Sequence, residues 1–183
     1  MKKILILLVI MLPIIGNAQN KEEKQLTKFE EFASKTGSIL KFVDVTMPKI
    51  PLIYGSVETG IRTVLSSQGN AYFYRIEKEE TSRSIAHIAM IEYSDLVEVN
   101  KAIEKLLSEV DSDTQSNPDY LENKFITEDG FQVGYYVSKG KASWYIKLEK
   151  YGSSTIFVKD PNDLITAFKN AQTKIEELKA NKS

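Results

Sequence analysis

Apolar and polar residues alternate with a period of two in the first half of the chain, which is typical of strands that bury one face of a sheet. These segments are residues 39–47, 61–65, 72–76 and 84–93. Gly69 and Asn70 suit a tight hairpin turn between the second and third segments. A turn at this position would place Leu65 opposite Tyr74. The pattern predicts an antiparallel meander, with an irregular stretch after residue 47 where prolines interrupt the alternation.

The second half shows the same period of two. Its predicted strands are residues 124–128, 131–138, 142–151 and 155–159. If residues 139–140 form a two-residue loop, Tyr135 faces Trp144 and Val133 faces Ile146, which gives one consistently apolar face. This agreement supports a second meander.

A helical period connects and follows these meanders. Residues 94–110 have apolar positions three and four apart, and Asp95 with Glu98 three residues later is predicted to cap this helix. The same spacing occurs in the helix that Asp160 and Pro161 open near the end of the chain. A shorter amphipathic helix is predicted over residues 20–35. We expect an α+β domain: an antiparallel sheet of about six or seven strands with two main helices on one face. The similar helix starts also suggest two pseudo-repeated halves, although capping chemistry alone would produce the same echo.

The amino-terminal segment has the layout of a cleavable export signal. Lys2 and Lys3 precede an apolar run over residues 4–15, and the small residue Ala18 closes it. This run is shorter than the roughly 20 residues that span a bilayer. The sequence therefore predicts a signal peptide over residues 1–18, a single mature domain over residues 19–183 without a transmembrane segment, and export to the periplasm or beyond the cell.

Composition excludes several classes of protein. The chain has no cysteine, so we expect neither a cysteine-anchored lipoprotein nor a disulfide scaffold or thiol nucleophile. Its 24 basic and 25 acidic residues are interspersed. Nucleic-acid binding depends on clustered basic residues, so no nucleic-acid partner is expected.

A loop is predicted after the first long helix, over residues 111–123, and it resembles a calcium-binding template. Oxygen-bearing side chains occupy template positions 1, 3, 5, 7, 9 and 12, namely Asp111, Asp113, Gln115, Asn117, Asp119 and Glu122. Two positions depart from the template, because Ser116 replaces its glycine and Pro118 replaces an apolar residue. The alternative is a solvated acidic loop that binds no cation.

Aromatic residues on the predicted strands form a second candidate site. Tyr136, Tyr145 and Phe157 would stand together on the sheet face opposite the core, close to Lys147. Exposed aromatic rings with polar neighbours commonly bind a sugar ring, a peptide or a protein surface. The alternative is that these aromatics are ordinary strand residues.

Evidence for an enzyme is weaker. His87 is the only histidine, and it lies on a strand face expected to be buried, so it is read as a packed residue. No phosphate-binding loop, nucleophile elbow or zinc-protease motif occurs. A carboxylate-dependent hydrolase stays possible as an alternative, because acidic residues are many.

Three features together resemble uncharacterised small exported proteins of Bacteroidota: the signal that begins with Lys2 and ends near Ala18, the meander over residues 131–159, and a closing helix with Ala171 and Ile175 on its apolar stripe. The resemblance implies an exported location and transfers no activity or site. We therefore expect a non-catalytic binding or interaction module of the cell envelope, whose partner is an envelope protein, a glycan or a small ligand. A hydrolase and a calcium-binding envelope protein are the alternatives.

Overall fold

The computed structural model describes residues 26–78, 86–150 and 155–181. The predicted signal peptide and the predicted turn at residues 151–154 lie outside these ranges. The elements in chain order are α1 (Lys28–Ala33), β1 (Lys41–Pro51), β2 (Ser56–Ser66), β3 (Gly69–Lys78), β4 (His87–Glu92), α2 (Tyr93–Gln115), β5 (Leu121–Ile126), β6 (Gln132–Ser138), β7 (Lys141–Lys147), β8 (Ile156–Phe157) and α3 (Pro161–Ala180).

The first four strands form an antiparallel meander in the order β1-β2-β3-β4. The predicted register of its central hairpin is wrong, because Tyr74 lies opposite Ile61 and not opposite Leu65. Ser66 closes the turn two residues earlier than expected: its hydroxyl donates to the Gly69 carbonyl (2.8 Å) and accepts the Gln68 N–H (3.2 Å). The shift is even, so each side chain stays on its predicted face.

Strand β1 continues through the stretch that was predicted to be irregular. Its pairing with β2 shifts register between Met47 and Ile50, as at a β-bulge. The bulge accommodates Pro48, whose carbonyl accepts the Thr59 hydroxyl at 2.7 Å. Proline lacks an N–H and is tolerated at bulges and on edge strands, and β1 is an edge strand of this sheet.

The second meander follows the order β5-β6-β7-β8. Its predicted pairing is confirmed, with Tyr135 opposite Trp144 and Val133 opposite Ile146. Strand β5 begins at Leu121, three residues before the predicted start.

The α+β class with antiparallel sheets is confirmed, but the single sheet of six or seven strands is wrong. The chain forms two four-stranded sheets. One isolated bridge, between Leu52 and Val158, links the end of β1 to the end of β8 in the described part of the chain. Hairpins make neighbours only of consecutive strands, and helix α2 separates the two meanders, so the pattern of each meander does not dictate how the two combine. Each half of the chain has the same element order, a four-stranded meander followed by a long helix.

Both long helices contribute to one core. Helix α2 contacts strands of both sheets, whereas α3 contacts α2, β1 and β2. Phe168 on α3 is fully buried between Tyr74 of the first sheet and Phe131 of the second, with ring centroids 5.1 and 5.7 Å away. The Asn100 amide of α2 ties the two helices by donating to the Phe168 carbonyl (3.3 Å). In the ranges described, no helix has the length and apolarity needed to cross a membrane.

Helix starts decide which carboxylates are available for other contacts. At α3 the predicted cap is confirmed, since Asp160 accepts the Asn162 N–H at 2.9 Å and Pro161 occupies the first turn. At α2 the cap is Glu92, which accepts the Ser94 N–H at 2.7 Å, and not Asp95 as expected. Asp95 therefore lies in the first helical turn with its side chain committed elsewhere.

Candidate functional site

A groove of about 970 Å³ runs along the outer edge of β4. Four consecutive residues of this strand line it, Ile88, Ala89, Met90 and Ile91. Side chains of successive strand residues point to opposite faces of a sheet, so a groove lined by four in a row follows the strand edge and not one face. Its volume is within the range of small-molecule sites in proteins.

The far wall of the groove comes from the second sheet. Residues 127–129 and 131, from the segment that joins β5 to β6, form one part, and residues 148–150 after β7 form the other. Phe131 and Leu148 are buried here and give this wall an apolar base. The groove thus lies where the free edge of one sheet faces the turns of the other.

Helix α1 covers the groove from the outer face of the first sheet. Its Phe29 ring packs edge-on against Phe73 with centroids 5.2 Å apart. Phe73 pairs with Glu92 and neighbours the core residue Tyr74 along β3, so it points away from the core. The short helix is capped by Thr27, whose hydroxyl accepts the Glu30 N–H at 3.2 Å.

Two aspartates anchor the start of α1. The Lys28 backbone N–H donates to both carboxylate oxygens of Asp129, at 3.1 and 3.2 Å. The Lys28 ammonium donates to Asp95 Oδ1 at 2.5 Å. One lysine therefore fastens α1 both to the second sheet's β5-β6 turn and to the first turn of α2.

Among the described residues that line the groove, carboxylates outnumber basic groups. Five acidic and two basic side chains belong to this set, Glu30, Asp95, Glu128, Asp129 and Glu149 against Arg62 and Lys150. Lys28 adds one further positive charge at the contact with Asp95 and Asp129. The described part of the lining therefore holds more acidic than basic groups even with Lys28 included.

Burial and neighbouring charge act on the ionisation of this cluster. Burial raises the pKa of Asp129, and the negative charges of Asp95 and Glu128 raise it further, while the Lys28 N–H opposes this. Burial alone would lower the pKa of Lys28, but its hydrogen bond to Asp95 and the nearby carboxylates raise it. The lysine thus stays protonated while Asp129 takes up a proton more readily than an ordinary aspartate.

Asp95 retains an unused acceptor in the groove. Its Oδ1 binds Lys28, but its Oδ2 is buried and has no hydrogen-bond partner among the described residues. A buried carboxylate oxygen without a donor is energetically costly. Because that oxygen is buried, a ligand in the groove reaches it only if the surrounding side chains move.

His87 lies beside the groove and not in the core. Its Nδ1 is 3.2 Å from Glu149 Oε1, and about a quarter of its side chain is exposed. The sequence predicted a buried residue on the face of Ala89 and Ile91, and these two are buried. His87 is only half-buried because it is the first residue of β4, where the core face ends.

The predicted aromatic residues do lie together on the outer face of the second sheet. Tyr136 and Phe157 make an edge-on contact with centroids 6.0 Å apart, and Tyr145 pairs with Phe157 across the β7-β8 ladder. The Lys147 ammonium is 5.9 Å from the centre of the Tyr145 ring. Tyr120, which the sequence did not single out, stacks on Tyr136 at 6.2 Å.

Tyr145 is less available than the pattern suggested. It is only 2 % exposed, and its hydroxyl donates to Glu122 Oε1 at 2.5 Å. Burial and this carboxylate raise the pKa of Tyr145. The aromatic cluster is therefore a packed layer with Tyr120 as its exposed member.

The predicted loop over residues 111–123 is wrong, because helix α2 continues to Gln115 and takes up Asp111 and Asp113, and β5 begins at Leu121. Two carboxylates of the calcium template accept hydrogen bonds on opposite faces of the second sheet. Asp113 accepts the hydroxyl of the core residue Tyr135 at 2.6 Å, whereas Glu122 accepts that of Tyr145 on the outer face.

The rest of the calcium template is equally dispersed. Asn117 adopts a positive φ of 46° just after the helix, and Asp119 contributes its backbone carbonyl to the Ser138 hydroxyl at 3.4 Å. Across the ranges that the structure covers, no group of three or more histidine and acidic side chains is arranged to hold a metal ion. The template residues share a sequence spacing but not a site.

Sequence reasoning missed Lys28, Asp95 and Asp129. Asp95 was assigned to helix capping, which Glu92 performs instead. Asp129 precedes Gly130, whose φ of 91° marks a tight turn, and an Asp-Gly pair between two predicted strands was the available signal for an exposed carboxylate there. Nothing in the periodicity indicates that α1 docks beside both.

Comparison with known proteins adds no relative: no protein-family model, no curated protein and no solved structure matches this chain. The chain is therefore classed by its α+β fold and its groove alone, with no family assigned.

Proposed function

We propose that this protein is a non-catalytic binding module of the cell envelope, and that its ligand is an amphiphile with a cationic group. The observation that carries the proposal is the groove along β4, which combines apolar walls with a surplus of carboxylates. Concave sites with apolar lining and a few polar groups are the usual form of ligand sites. The exported location follows from the predicted signal peptide.

The positive charge expected of the ligand follows from the repulsion among the neighbouring carboxylates of the groove. Asp95 and Asp129 both contact Lys28, so two carboxylates share this lysine, and burial together with the neighbouring carboxylates raises the pKa of Asp129. A ligand cation would favour the ionised state of Asp129. An anionic ligand would meet repulsion from the same groups.

The apolar part of the ligand follows from the groove walls. Two apolar side chains that line the groove are exposed, Ile88 at 38 % and Leu26 at 47 %, whereas Phe131 and Leu148 form a buried base. Covering such surface contributes about 25 cal/mol per Å² of apolar area removed from water. The outer aromatic layer offers less apolar surface to a ligand, because Tyr145 is already buried and hydrogen-bonded.

The test uses three ligands that share one alkyl chain: octylamine, octanol and octanoate. Titration calorimetry and thermal melting of the mature protein measure binding, since a ligand that binds only the folded state raises the melting temperature. We expect octylamine to bind most tightly, octanol weakly and octanoate least. Equal binding of all three, or no binding of octylamine, would contradict the proposal.

Asp129→Asn should weaken octylamine binding about tenfold, because a charge-assisted contact to a partly buried carboxylate contributes about 1.5–3 kcal/mol. Octanol binding should change little. Glu177→Gln removes the same charge from an exposed carboxylate of α3 that pairs with Lys174 outside the groove, and it serves as the matched control. If both variants weaken octylamine equally, net charge and not the groove governs binding.

Octylamine binding should fall as pH is lowered through the raised pKa of Asp129. A cation prefers the ionised carboxylate, so affinity is highest above that pKa and falls below it by about the tenfold expected of Asp129→Asn, while the amine stays protonated throughout. Lys28, Asp95 and Glu128 are the charges that face Asp129. Calorimetry at decreasing pH measures the midpoint of this loss in octylamine affinity. In Asp129→Asn the loss at low pH should be largely absent. A midpoint that the substitution leaves unchanged would assign the loss to another group.

A carboxylate-dependent hydrolase is the second candidate function. One observation favours it: Asp129 has a raised pKa and lies near a second carboxylate, Asp95, in a groove large enough for a substrate. Acid-base catalysis by two carboxylates commonly uses one whose pKa is raised. Lys28 between them opposes the idea, because it already occupies Asp95. Turnover of chromogenic glycosides or esters that disappears in Asp129→Asn but not in Glu177→Gln would favour this candidate over a binding module.

A further inference from the structure

The outer edge of β4 has the features of a strand-addition site. Strand β4 is the last strand of its sheet and pairs only with β3 among the described strands. Alternate backbone N–H and C=O groups of an edge strand point away from its neighbour and are available to another chain. The groove follows this edge, since consecutive β4 residues line it from both faces.

We propose that the natural ligand of the groove is an extended, basic segment of a partner protein, which adds to β4 as a further strand. This inference rests on the proposed function and names its ligand class. In this binding mode backbone hydrogen bonds supply affinity and alternating side chains supply specificity. The partner's basic side chains would make the contacts with the groove carboxylates that the ammonium group of octylamine makes in the titration proposed above.

Charge complementarity selects the partner's composition. A strand in the groove has the carboxylates of Asp129 and Glu149 on one side and the apolar Ile88 and Phe131 near it. Since strand side chains alternate between two faces, a segment that alternates basic and apolar residues matches both surfaces. The six residues of β4 allow a paired segment of about 20 Å, from 3.3 Å per residue.

The edge of β4 differs from that of β5, the outer strand of the second sheet. Strand β5 exposes Glu122 and Lys124, which pair at 3.2 Å, and charged side chains of this kind protect edge strands from further pairing. Strand β4 has the sequence His-Ile-Ala-Met-Ile-Glu and carries no lysine. Its edge is therefore the less protected of the two.

The experiment uses synthetic peptides of about six residues that alternate lysine and valine. Two N-methylated versions are compared with the parent, one methylated at every valine and one at every lysine. Successive amides of a strand point to opposite edges, so only one of the two versions blocks the edge that pairs with β4. We expect calorimetry to show that one version loses at least tenfold in affinity and the other stays within about threefold, because each lost hydrogen bond contributes about 0.5–1.5 kcal/mol.

Amide hydrogen exchange on the protein gives a second readout. Saturating parent peptide should slow exchange at least tenfold at alternate amides between Ile88 and Glu92, whereas octylamine should leave them unchanged. A glutamate-valine peptide is the charge control and should not bind. Unchanged β4 exchange with bound peptide, or equal affinity of both N-methylated versions, would overturn strand addition.

The outcomes separate this inference from the proposed function. Binding of octylamine without binding of the parent peptide would overturn strand addition and leave the amphiphile site intact. Failure of octylamine itself would contradict the proposed function. No outcome requires a variant of the protein, so misfolding cannot imitate a negative result.

Discussion

Phe168→Ala should lower the free energy of unfolding by about 3–5 kcal/mol, which is the usual cost of removing a buried phenylalanine from a core. Phe168 is fully buried on α3, and its ring contacts Tyr74 of the first sheet and Phe131 of the second. Its loss would leave a cavity where the two sheets and α3 meet. For a domain of this size the melting temperature should fall by about 10 °C or more.

Tyr54→Ala is the control for this effect. Tyr54 also carries a six-membered aromatic ring, but it is 90 % exposed, and exposed substitutions usually change stability by less than about 0.5 kcal/mol. Denaturant titration of both variants measures the difference. A cost for Phe168→Ala as small as that for Tyr54→Ala would mean that the two sheets do not share this core.

The meanders were predictable because each depends on local sequence. Tyr135 and Trp144 were placed opposite each other from one short turn and one apolar face. The same reasoning failed for Leu65 and Tyr74. Moving the turn two residues along the chain changes which residues pair but keeps every side chain on the same face, so the apolar pattern fits both positions of the turn. Alternation therefore determines which face a residue occupies and leaves even register shifts undecided.

Long-range arrangement was not predictable from these patterns. The chain forms two four-stranded sheets, and the bridge that links them in the described part joins Leu52 to Val158, about a hundred residues apart in the chain. The calcium template failed for a related reason: α2 extends to Gln115, since a polar stretch after an apolar stripe can continue a helix whose last turns are solvated.

The candidate site illustrates the same limit. Strand β4 was expected, but its edge becomes a groove only because α1 and the β5-β6 turn lie beside it. Lys28, Asp95 and Asp129 are far apart in sequence and belong to three different elements. A single sequence shows the residue types and gives no measure of their separation in space.

Gly130→Ala should both destabilise the fold and weaken the groove, since this glycine shapes the turn that presents Asp129. Its φ is 91°, which an alanine adopts at a cost of about 1–2 kcal/mol. An added Cβ would also lie 2.3 Å from the Lys150 Cβ and 2.6 Å from its Cα. Relieving that overlap requires a backbone shift that costs about 1–3 kcal/mol, so the expected total is about 3 kcal/mol.

Gly55→Ala isolates the two contributions. Gly55 has a φ of 78°, but no atom lies within 4 Å of its added Cβ, so only the conformational cost of about 1–2 kcal/mol is expected. Denaturant titration gives the stability difference, and calorimetry with octylamine gives the effect on the groove. Gly130→Ala should weaken octylamine severalfold because a displaced turn moves the Asp129 carboxylate out of its place in the groove wall, whereas Gly55→Ala should bind as the parent does. Equal stability losses in the two variants would show that the turn yields without strain, and unchanged octylamine binding in Gly130→Ala would remove Asp129 from the ligand's contacts.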